Sequence, residues 1–335
     1  RILIMEPKSQ EESKLPSKFL KEEHVTYLLG LEKNEDIDQV GSFITEHLKI
    51  GGAYWCLTSL ACLKYEIPPE KKEGLVKWLK GCQNEDGGFG GNFGHDSHIT
   101  STHYAVLVLI LFDALKEVDT EKIAQYVSKL QNKDGSFNGD TWGEIDTRFS
   151  YCALSCLNLL NRTELIDVQA AGDYVLKCRN FDGGLGMIPG MESHGAYCFT
   201  GVGTLAIANR LDDLSRDELG TWLSERQTLK GGFNGRPEKL SDVCYSWWIL
   251  SSLYMIERDN WIDKKELEKY IIYCQDEEGG IADRPGNMVD VFHTFFGLAA
   301  LSLLDETGAK GLEKINPKYA LPESILKERF PWLKL

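Results

Sequence analysis

Three residues in the second half of the chain have the side-chain chemistry of a zinc site. Asp242 and Cys244 are two positions apart, and His293 follows much later in the sequence. Carboxylate, thiolate and imidazole all bind Zn²⁺, and three protein ligands leave a fourth position open, as catalytic sites require. A short Asp-x-Cys pair often occurs without a metal. The alternatives are therefore a buried core thiol for Cys244 and a hydrogen-bonded core histidine for His293.

Cationic and hydrogen-bonding side chains occur near these three residues in the sequence. Because Arg binds phosphate with a planar fork and Lys binds it as a point charge, such a set suggests a phosphate-rich ligand. The alternative for each is an ordinary surface salt bridge. The set comprises Arg148, His194, Arg236, Lys239 and Tyr245.

Aromatic residues occur in most of the apolar segments. They either fill a closed core or line a cavity for a long apolar ligand. These residues are Tyr54, Trp55, Tyr104, Tyr151, Trp247, Trp248, Phe295 and Phe296.

A repeat of 48 residues must position these groups. It is marked by five glycines at one constant spacing, Gly87, Gly135, Gly183, Gly231 and Gly279. So regular a repeat predicts one supersecondary unit copied with almost no insertion. Each unit contains one amphipathic segment and one segment that is apolar on all sides. We expect each repeated glycine to end the amphipathic helix in a left-handed conformation.

The alternation predicts an all-α fold with outer amphipathic helices and inner apolar helices. Six such pairs can close into an α6–α6 (α/α) barrel, and an open solenoid is the alternative. We expect an N-terminal extension over residues 1–20 and a single barrel domain over residues 21–335. The inner helices are predicted over Ala53–Leu63, Ser101–Leu111, Phe149–Leu160, Cys198–Ala208, Cys244–Met255 and Phe292–Leu304.

The same spacing relates five polar residues that precede inner helices, namely His98, Asp146, His194, Asp242 and Asp290. N-capping explains the aspartates well and the histidines less well. In a closed barrel all five would surround one end of the cavity, which we call the mouth. Cys244 is equivalent to position 292, so Cys244 and His293 would come from the tops of adjacent inner helices.

Composition excludes several classes of function. The net charge of −14 argues against a nucleic-acid surface. No uncharged run reaches the roughly 18 residues of a membrane span. The C-terminus is not a lipidation box. Nine cysteines, mostly in apolar runs, and the lack of a secretion signal predict a cytoplasmic protein. Because the chain starts without methionine, we expect some N-terminal residues to be missing.

The chain resembles the β subunits of protein prenyltransferases over nearly its whole length. The most specific segments are Gly235–Lys239, Asp242–Trp248 and Phe292–Thr294. Within the family, the segments 143–150, 236–248 and 283–293 are most like the Rab geranylgeranyltransferase (type II) β subunit. The resemblance implies a barrel with an obligate α subunit, and an escort protein that presents a Rab GTPase.

The resemblance also implies roles for individual residues. Zinc is held by Asp242, Cys244 and His293, and it binds the substrate thiol. Geranylgeranyl diphosphate is held by His194, Arg236, Lys239 and Tyr245, which stabilise the leaving diphosphate. The remaining residues of the lipid and diphosphate cavity are Trp248, Arg148, Gly51 and Tyr151.

Two positions bear on lipid length, and one bears on a second metal. Farnesyl enzymes carry Trp where this chain has Gly51, so a 20-carbon chain would fit here. A second wall position, Tyr in farnesyl enzymes, is His103, where type II enzymes are expected to be apolar. Asp283 matches a carboxylate that helps hold Mg²⁺ in farnesyl enzymes.

Other functions remain open at the level of sequence. Farnesyl and type I geranylgeranyl β subunits, which act on CaaX proteins, share most of these residues. Terpene cyclases also use α/α barrels, and the segment 131–137 is similar to their repeat, but the D-x-D-D protonation motif is absent. A non-catalytic binding barrel would bind no metal.

Overall fold

The computed structural model describes residues 18–31 and 45–335. Thirteen α-helices and several short 3₁₀ helices occur in these residues, and strand-like pairing among them is limited to isolated bridges. The predicted N-terminal extension, residues 1–20, lies mostly outside the described residues. None of the described helices has the length and hydropathy needed to cross a bilayer.

Six helices form an inner ring. Each contacts the next one in the ring, and the sixth contacts the first, so the ring is closed. This confirms the α6–α6 barrel and excludes the open solenoid. The inner helices are α2 (Lys49–Cys62), α4 (Ile99–Leu111), α6 (Thr147–Leu159), α8 (Gly195–Ile207), α10 (Cys244–Met255) and α12 (Val291–Leu304).

Six amphipathic helices alternate with the inner ones along the chain and form the outer layer. Each of five outer helices carries an aromatic residue at the position equivalent to Trp78. Trp78 is half-buried, and its equivalents pack between the layers as buried residues, namely Tyr126, Tyr174, Trp222 and Tyr270. The outer helices are α1 (Lys21–Gly30), α3 (Pro69–Gly81), α5 (Thr120–Lys129), α7 (Val168–Lys177), α9 (Arg216–Ser224) and α11 (Lys264–Tyr273), and a short helix α13 (Glu323–Arg329) follows.

The repeated glycines do not end the outer helices, so that prediction is wrong. Helix α3 ends at Gly81, where Cys82 is right-handed, and Gly87 lies further on in a tight turn with φ of +96°. This turn is closed by the hydrogen bond from the Gly87 N–H to the Asn84 carbonyl. The positive φ was therefore correctly expected, but it serves the turn that leads the chain back to the inner helix.

Most inner helices begin earlier than predicted because capping residues, and not the first apolar residue, set their starts. His98, Asp146, His194 and Asp290 are N-caps whose side chains accept backbone N–H groups. Asp242 accepts the Cys244 N–H at 2.8 Å in the same way. His98 and His194 thus cap their helices through Nδ1, although the sequence pattern favoured capping less for histidine than for aspartate.

Each loop is tied to the inner helix of the preceding repeat. The N–H of Gly195, at the start of α8, donates to the Gly235 carbonyl at 2.7 Å. The N–H of Val243, just before α10, donates to the Asp283 carbonyl at 2.9 Å. These bonds place the Gly235–Lys239 segment beside His194, and Asp283 beside the start of α10.

The C-terminal segment crosses the opposite end of the barrel. The Glu313 N–H donates to the carbonyl of Cys62 at the end of α2. Arg329 donates to the Ile110 carbonyl and the Trp332 indole to the Asn158 carbonyl, near the ends of α4 and α6. Because the N-caps lie at the mouth, this segment covers the far end of the inner ring.

Candidate active site

Asp242, Cys244 and His293 converge at the mouth. One ligand atom from each lies within 4.8 Å of the other two. The His293 Nε2 is 3.3 Å from the Asp242 Oδ1. Cys244 is the first residue of α10 and His293 is in the first turn of α12, and these helices are neighbours in the ring. The proximity expected from the repeat is therefore present, and the donor set suits a metal ion such as zinc.

Asp290 fixes the orientation of His293. One carboxylate oxygen accepts the His293 backbone N–H at 2.8 Å, and the other lies 2.6 Å from the ring Nδ1. A proton on Nδ1 leaves Nε2 as the atom that faces Asp242. Metal-binding histidines commonly donate their second nitrogen to a carboxylate in this way. From the sequence, Asp290 is expected only at the mouth or as a cap, although its place three residues before His293 permits this second role.

The electrostatics of the cluster favour a bound cation. Burial lowers the pKa of His293, but the Asp242 and Asp290 carboxylates outweigh it and raise that pKa to about 9. Burial and the neighbouring Asp242 carboxylate raise the pKa of the Cys244 thiol well above its ordinary value. A buried thiolate beside a carboxylate is costly unless a positive charge compensates it. A divalent cation would supply that charge.

His194 and Tyr245 form a hydrogen-bonded pair beside this cluster. The His194 Nδ1 accepts the Ala196 N–H, and Nε2 lies 3.2 Å from the Tyr245 hydroxyl. In the neutral ring Nε2 must then carry the proton and donate to the Tyr245 oxygen. Burial, followed by the nearby Arg236 charge, lowers the pKa of His194, which favours the neutral ring. The Tyr245 hydroxyl proton is left to donate to another acceptor.

The three other cationic residues predicted for the site differ in their contacts at the mouth. Arg236 forms an ion pair with Glu192 and lies close enough to His194 to affect its pKa. Lys239 is exposed and makes no hydrogen bond or ion pair with His194 or Tyr245 within the described part of the chain. Arg148 donates to both carboxylate oxygens of Asp146, so its guanidinium is already paired.

Aromatic side chains of the inner helices α2, α4, α10 and α12 contact one another. Tyr104 in α4 is half-buried, and desolvation raises the pKa of its hydroxyl. Trp55 contacts the rings of Tyr104 and Phe292, and Trp248 contacts Phe292 in turn. A Cβ at Gly51 would lie 3.5 Å from both Trp55 and Tyr104, so a larger side chain would crowd this wall.

The sequence matches the family described as prenyltransferase alpha-alpha toroid domain over residues 19–321. The chain belongs to this family.

Curated relatives of this toroid match in a shorter segment. A Dictyostelium discoideum protein called probable geranylgeranyl transferase type-2 subunit beta is 49% identical over 96 residues, 29% of this chain and 27% of that protein. An Arabidopsis thaliana geranylgeranyl transferase type-2 subunit beta 1 is 50% identical over 88 residues, 26% of each. The matched segments thus span only about a quarter of these relatives.

Solved structures share the fold of the toroid. The Candida albicans protein geranylgeranyltransferase-I complexed with GGPP superimposes with a TM-score of 0.84 at 24% identity, covering 92% of this chain and 98% of that one. A type II terpene cyclase from Scytonema gives a TM-score of 0.58 at 13% identity, covering 76% and 87%. At these identities the likeness concerns architecture alone.

His103 and Tyr151, on the inner helices of the toroid, each form a hydrogen bond that holds the side chain in place. His103 is buried and hydrogen-bonded to the Ser155 hydroxyl at 2.9 Å, so its polar ring is satisfied between α4 and α6. Burial lowers its pKa to about 3, and the ring is neutral at pH 7. The Tyr151 hydroxyl donates to the Lys318 carbonyl in the C-terminal segment. This bond fixes the ring deep in the barrel.

Asp283 lies close to the start of α10 but its carboxylate is occupied. One oxygen accepts from Asn287 at 2.8 Å, and the other pairs with Arg284 at 2.9 Å. A Mg²⁺ ion bound there would have to displace at least the Arg284 guanidinium.

Proposed function

We propose that this chain is the catalytic β subunit of a zinc-dependent type II protein geranylgeranyltransferase. It would transfer geranylgeranyl from its diphosphate to C-terminal cysteine thiols of Rab GTPases. The convergence of Asp242, Cys244 and His293 beside the His194–Tyr245 pair carries the proposal. The names of the curated relatives support the choice of type II.

The three ligand side chains would hold the zinc ion, and Asp290 would keep His293 oriented toward it. Zinc lowers the pKa of a bound thiol, so that a thiolate exists at neutral pH. The Cys244 backbone N–H already donates to the Asp242 carboxylate, which limits the freedom that these two residues lose on binding a metal. The fourth position is left for the substrate cysteine.

The chemical step is a substitution at C1 of the prenyl diphosphate. The thiolate sulfur forms the new C–S bond, the C1–O bond breaks, and its electron pair leaves with the diphosphate. The Tyr245 hydroxyl can donate to the leaving group because its oxygen already accepts from His194. Arg236 and Lys239 would add positive charge at the mouth. Such placed donors act where the negative charge develops.

The apolar wall would hold the isoprenoid. Trp55, Tyr104 and Trp248 provide aromatic surface, and each buried CH₂ group contributes about 0.8 kcal/mol to binding. Gly51 leaves space along this wall for a long chain. Arg148 and Tyr151 would complete the cavity, and Asp283 is the candidate for a Mg²⁺ ion that neutralises the diphosphate.

We further propose that the chain assembles with an α subunit, acts on a Rab that an escort protein presents, and is located in the cytoplasm. The nine free cysteines support a reducing compartment. A terpene cyclase shares the fold but would leave the Asp–Cys–His cluster unused.

A comparison of donors and acceptors tests the function. The chain is combined with an α subunit and assayed with labelled geranylgeranyl or farnesyl diphosphate. The acceptors are a Rab with its escort protein, and a CaaX peptide. We expect efficient transfer only from geranylgeranyl diphosphate to the escorted Rab. Preferred transfer to the CaaX peptide would assign the chain to another class, and cyclisation without transfer would indicate a cyclase.

A further inference from the structure

The loop Gly235–Lys239 is fixed in place at its first residue. The Gly235 carbonyl accepts the Gly195 N–H at 2.7 Å. The Gly235 backbone also lies directly against the Tyr245 ring, since a Cβ there would be 2.4 Å from the Tyr245 hydroxyl oxygen. The loop therefore begins at a fixed point beside Tyr245, and the place of Lys239 depends on what holds the other end.

The side chain of Asn234 holds that other end. Its Nδ2 donates to the Lys239 carbonyl at 3.1 Å, across the base of the loop, and we call this contact the loop bond. Asn234 is only 8% exposed, and its Oδ1 has no hydrogen-bond partner among the described residues. A buried acceptor without a partner lowers stability. The amide is therefore better explained by the bond that it donates than by its contribution to the core.

Two other repeats form the loop bond from a different position. In the first repeat the Asn84 Nδ2 donates to the His95 carbonyl at 2.9 Å. In the third repeat the Asn180 Nδ2 donates to the Met191 carbonyl at 2.8 Å. Both carbonyls are equivalent to that of Lys239 by the 48-residue spacing. An asparagine in the turn before the loop is thus the donor in these repeats.

The fourth repeat has moved the donor into the loop itself. Thr228 stands in place of the turn asparagine, and Asn234 stands in place of Gly90 and Gly186. A Cβ at Gly90 would lie 2.3 Å from the loop carbonyl oxygen, and one at Gly186 would lie 2.2 Å from it. No Cβ can lie so close, so Asn234 keeps the Lys239 carbonyl further from the base of the loop. The side chain thereby holds the loop and also changes its path.

The residue before Lys239 has a strained backbone. Glu238 has a φ of +62°, in the left-handed region. Gly190 and Gly286, at the equivalent positions of the neighbouring repeats, have φ of +83° and +82°. Glycine adopts this conformation freely, whereas a residue with a Cβ keeps it only where its surroundings hold it. The bond from Asn234 to the next carbonyl contributes that hold.

We propose that Asn234 is a positioning residue that sets the place of Lys239 relative to the diphosphate of the prenyl donor. This role rests on the proposed function, in which Lys239 stabilises the leaving diphosphate. The Lys239 side chain is exposed, and its ammonium forms no hydrogen bond or ion pair within the described part of the chain. Its place at the mouth is therefore set by the backbone that Asn234 holds. A displaced donor loses much of its effect on a developing charge.

A double-mutant cycle, measured in the complex with the α subunit, tests this role. Asn234→Leu keeps the volume of the side chain and removes the donor. We expect it to lower kcat/KM for geranylgeranyl diphosphate about tenfold, as Lys239→Ala does. In the Lys239→Ala background the same substitution should cause no further loss, because Asn234 acts through Lys239. Additive losses, or an unchanged kcat/KM in Asn234→Leu, overturn the proposal.

A second variant separates the position of the loop from the stability of the barrel. Thr228→Asn with Asn234→Gly copies the loop bond of the first and third repeats, so it should keep the wild-type melting temperature. It should still lose transfer about tenfold, because the Lys239 carbonyl would move toward the base of the loop. The control is Asn138→Leu, at the equivalent position of the second repeat, where the amide oxygen accepts from Asn132. The control should transfer at the wild-type rate.

The outcomes distinguish this role from the proposed function. If the wild type is active, full activity in the exchanged variant overturns the role of Asn234 alone. An equal loss in Asn138→Leu also overturns it, since the effect would then be a general loosening of the mouth. A wild type that transfers to neither the escorted Rab nor the CaaX peptide overturns the proposed function, and the role of Asn234 with it.

Discussion

His293 is the residue on which the metal cluster depends most for geometry. Its Nδ1 is held by Asp290 at 2.6 Å, and its Nε2 faces Asp242 at 3.3 Å. Without Asp290 the ring could rotate or change tautomer, and Nε2 would no longer be presented with its lone pair toward a metal. Asp290 is thus a positioning residue, distinct from the three ligands.

We predict that Asp290→Asn weakens zinc binding about ten- to a hundredfold. Asn still caps α12, because it is as good an N-cap as Asp, so the fold should persist. Chelator competition measures the affinity. The matched control is Asp263→Asn, which changes the cap of the outer helix α11. Equal zinc affinity in the wild type and Asp290→Asn would show that Asp290 does not position His293.

Gly51 is the residue that we connect with lipid length. Its missing side chain leaves room between Trp55 and Tyr104. We predict that Gly51→Trp lowers the preference for geranylgeranyl over farnesyl diphosphate by at least about tenfold, because the indole would occupy the space of the last isoprene unit. Competition between the two diphosphates measures the preference. Gly52→Ala is the control, since a Cβ there meets no atom within 4 Å. An unchanged preference would place the end of the lipid elsewhere.

The repeated glycines lie where each turn packs against the next outer helix. A Cβ at Gly135 would lie 1.9 Å from the Ala170 carbonyl oxygen in α7, the next outer helix. Gly87, Gly183 and Gly231 approach the backbone of the following outer helix in the same way. The glycine is therefore required twice, for its positive φ and for this close approach.

We predict that Gly135→Ala destabilises the barrel far more than Gly143→Ala. Both residues have a φ of +91°, but a Cβ at Gly143 meets no atom within 4 Å. The left-handed backbone alone should cost about 1–2 kcal/mol at Gly143. The additional clash at Gly135 should bring its cost to about 4 kcal/mol or more, if the variant folds. Denaturant unfolding measures both, and equal costs would exclude the packing role of Gly135.

The sequence predicted the helical elements well because two different patterns coincide in every repeat. The all-apolar segments identified the inner helices, and the 48-residue spacing brought Cys244 and His293 together. The spacing did not predict that the repeated glycines lie in turns, since a positive φ is equally compatible with the end of a helix. The pairing of Asp290 with His293 depends on side-chain rotamers, which the spacing does not determine.

Helix α1 closes the outer layer of the whole barrel. A Cβ at Gly279 would lie 2.1 Å from the Glu23 carbonyl, so α1 takes the place of the next outer helix. His24 is fully buried there, accepting the Gly280 N–H at Nδ1 and donating from Nε2 to Gln275. These contacts join residues more than 250 positions apart, and neither the glycine spacing nor the composition reveals them.

Stability should therefore fall in mild acid. Burial lowers the pKa of His24 below its ordinary value of 6.5. Above that value both folded and unfolded states carry the neutral ring, and the pH has no effect through it. Below it the unfolded chain gains a proton that the folded chain does not, which costs up to about 1.4 kcal/mol per pH unit.

The variant His24→Asn isolates this effect. Asn keeps an acceptor for the Gly280 N–H but does not titrate. We expect the variant to be less stable at pH 7.5, and the difference from the wild type to narrow as the pH falls from 6.5 to 5. Urea unfolding at each pH measures it. Parallel pH profiles for the two proteins would show that His24 does not take part in the acid response.

In our proposal, prenyl transfer depends on a metal held by Asp242, Cys244 and His293. The most direct test measures zinc content and transfer rate in the same samples of wild type, Cys244→Ala and the buried-thiol control Cys156→Ala, each with the α subunit. We predict about one zinc ion per chain and active transfer for the wild type and the control. Cys244→Ala should fold but lose both. Full zinc content and full transfer in Cys244→Ala would contradict the claim.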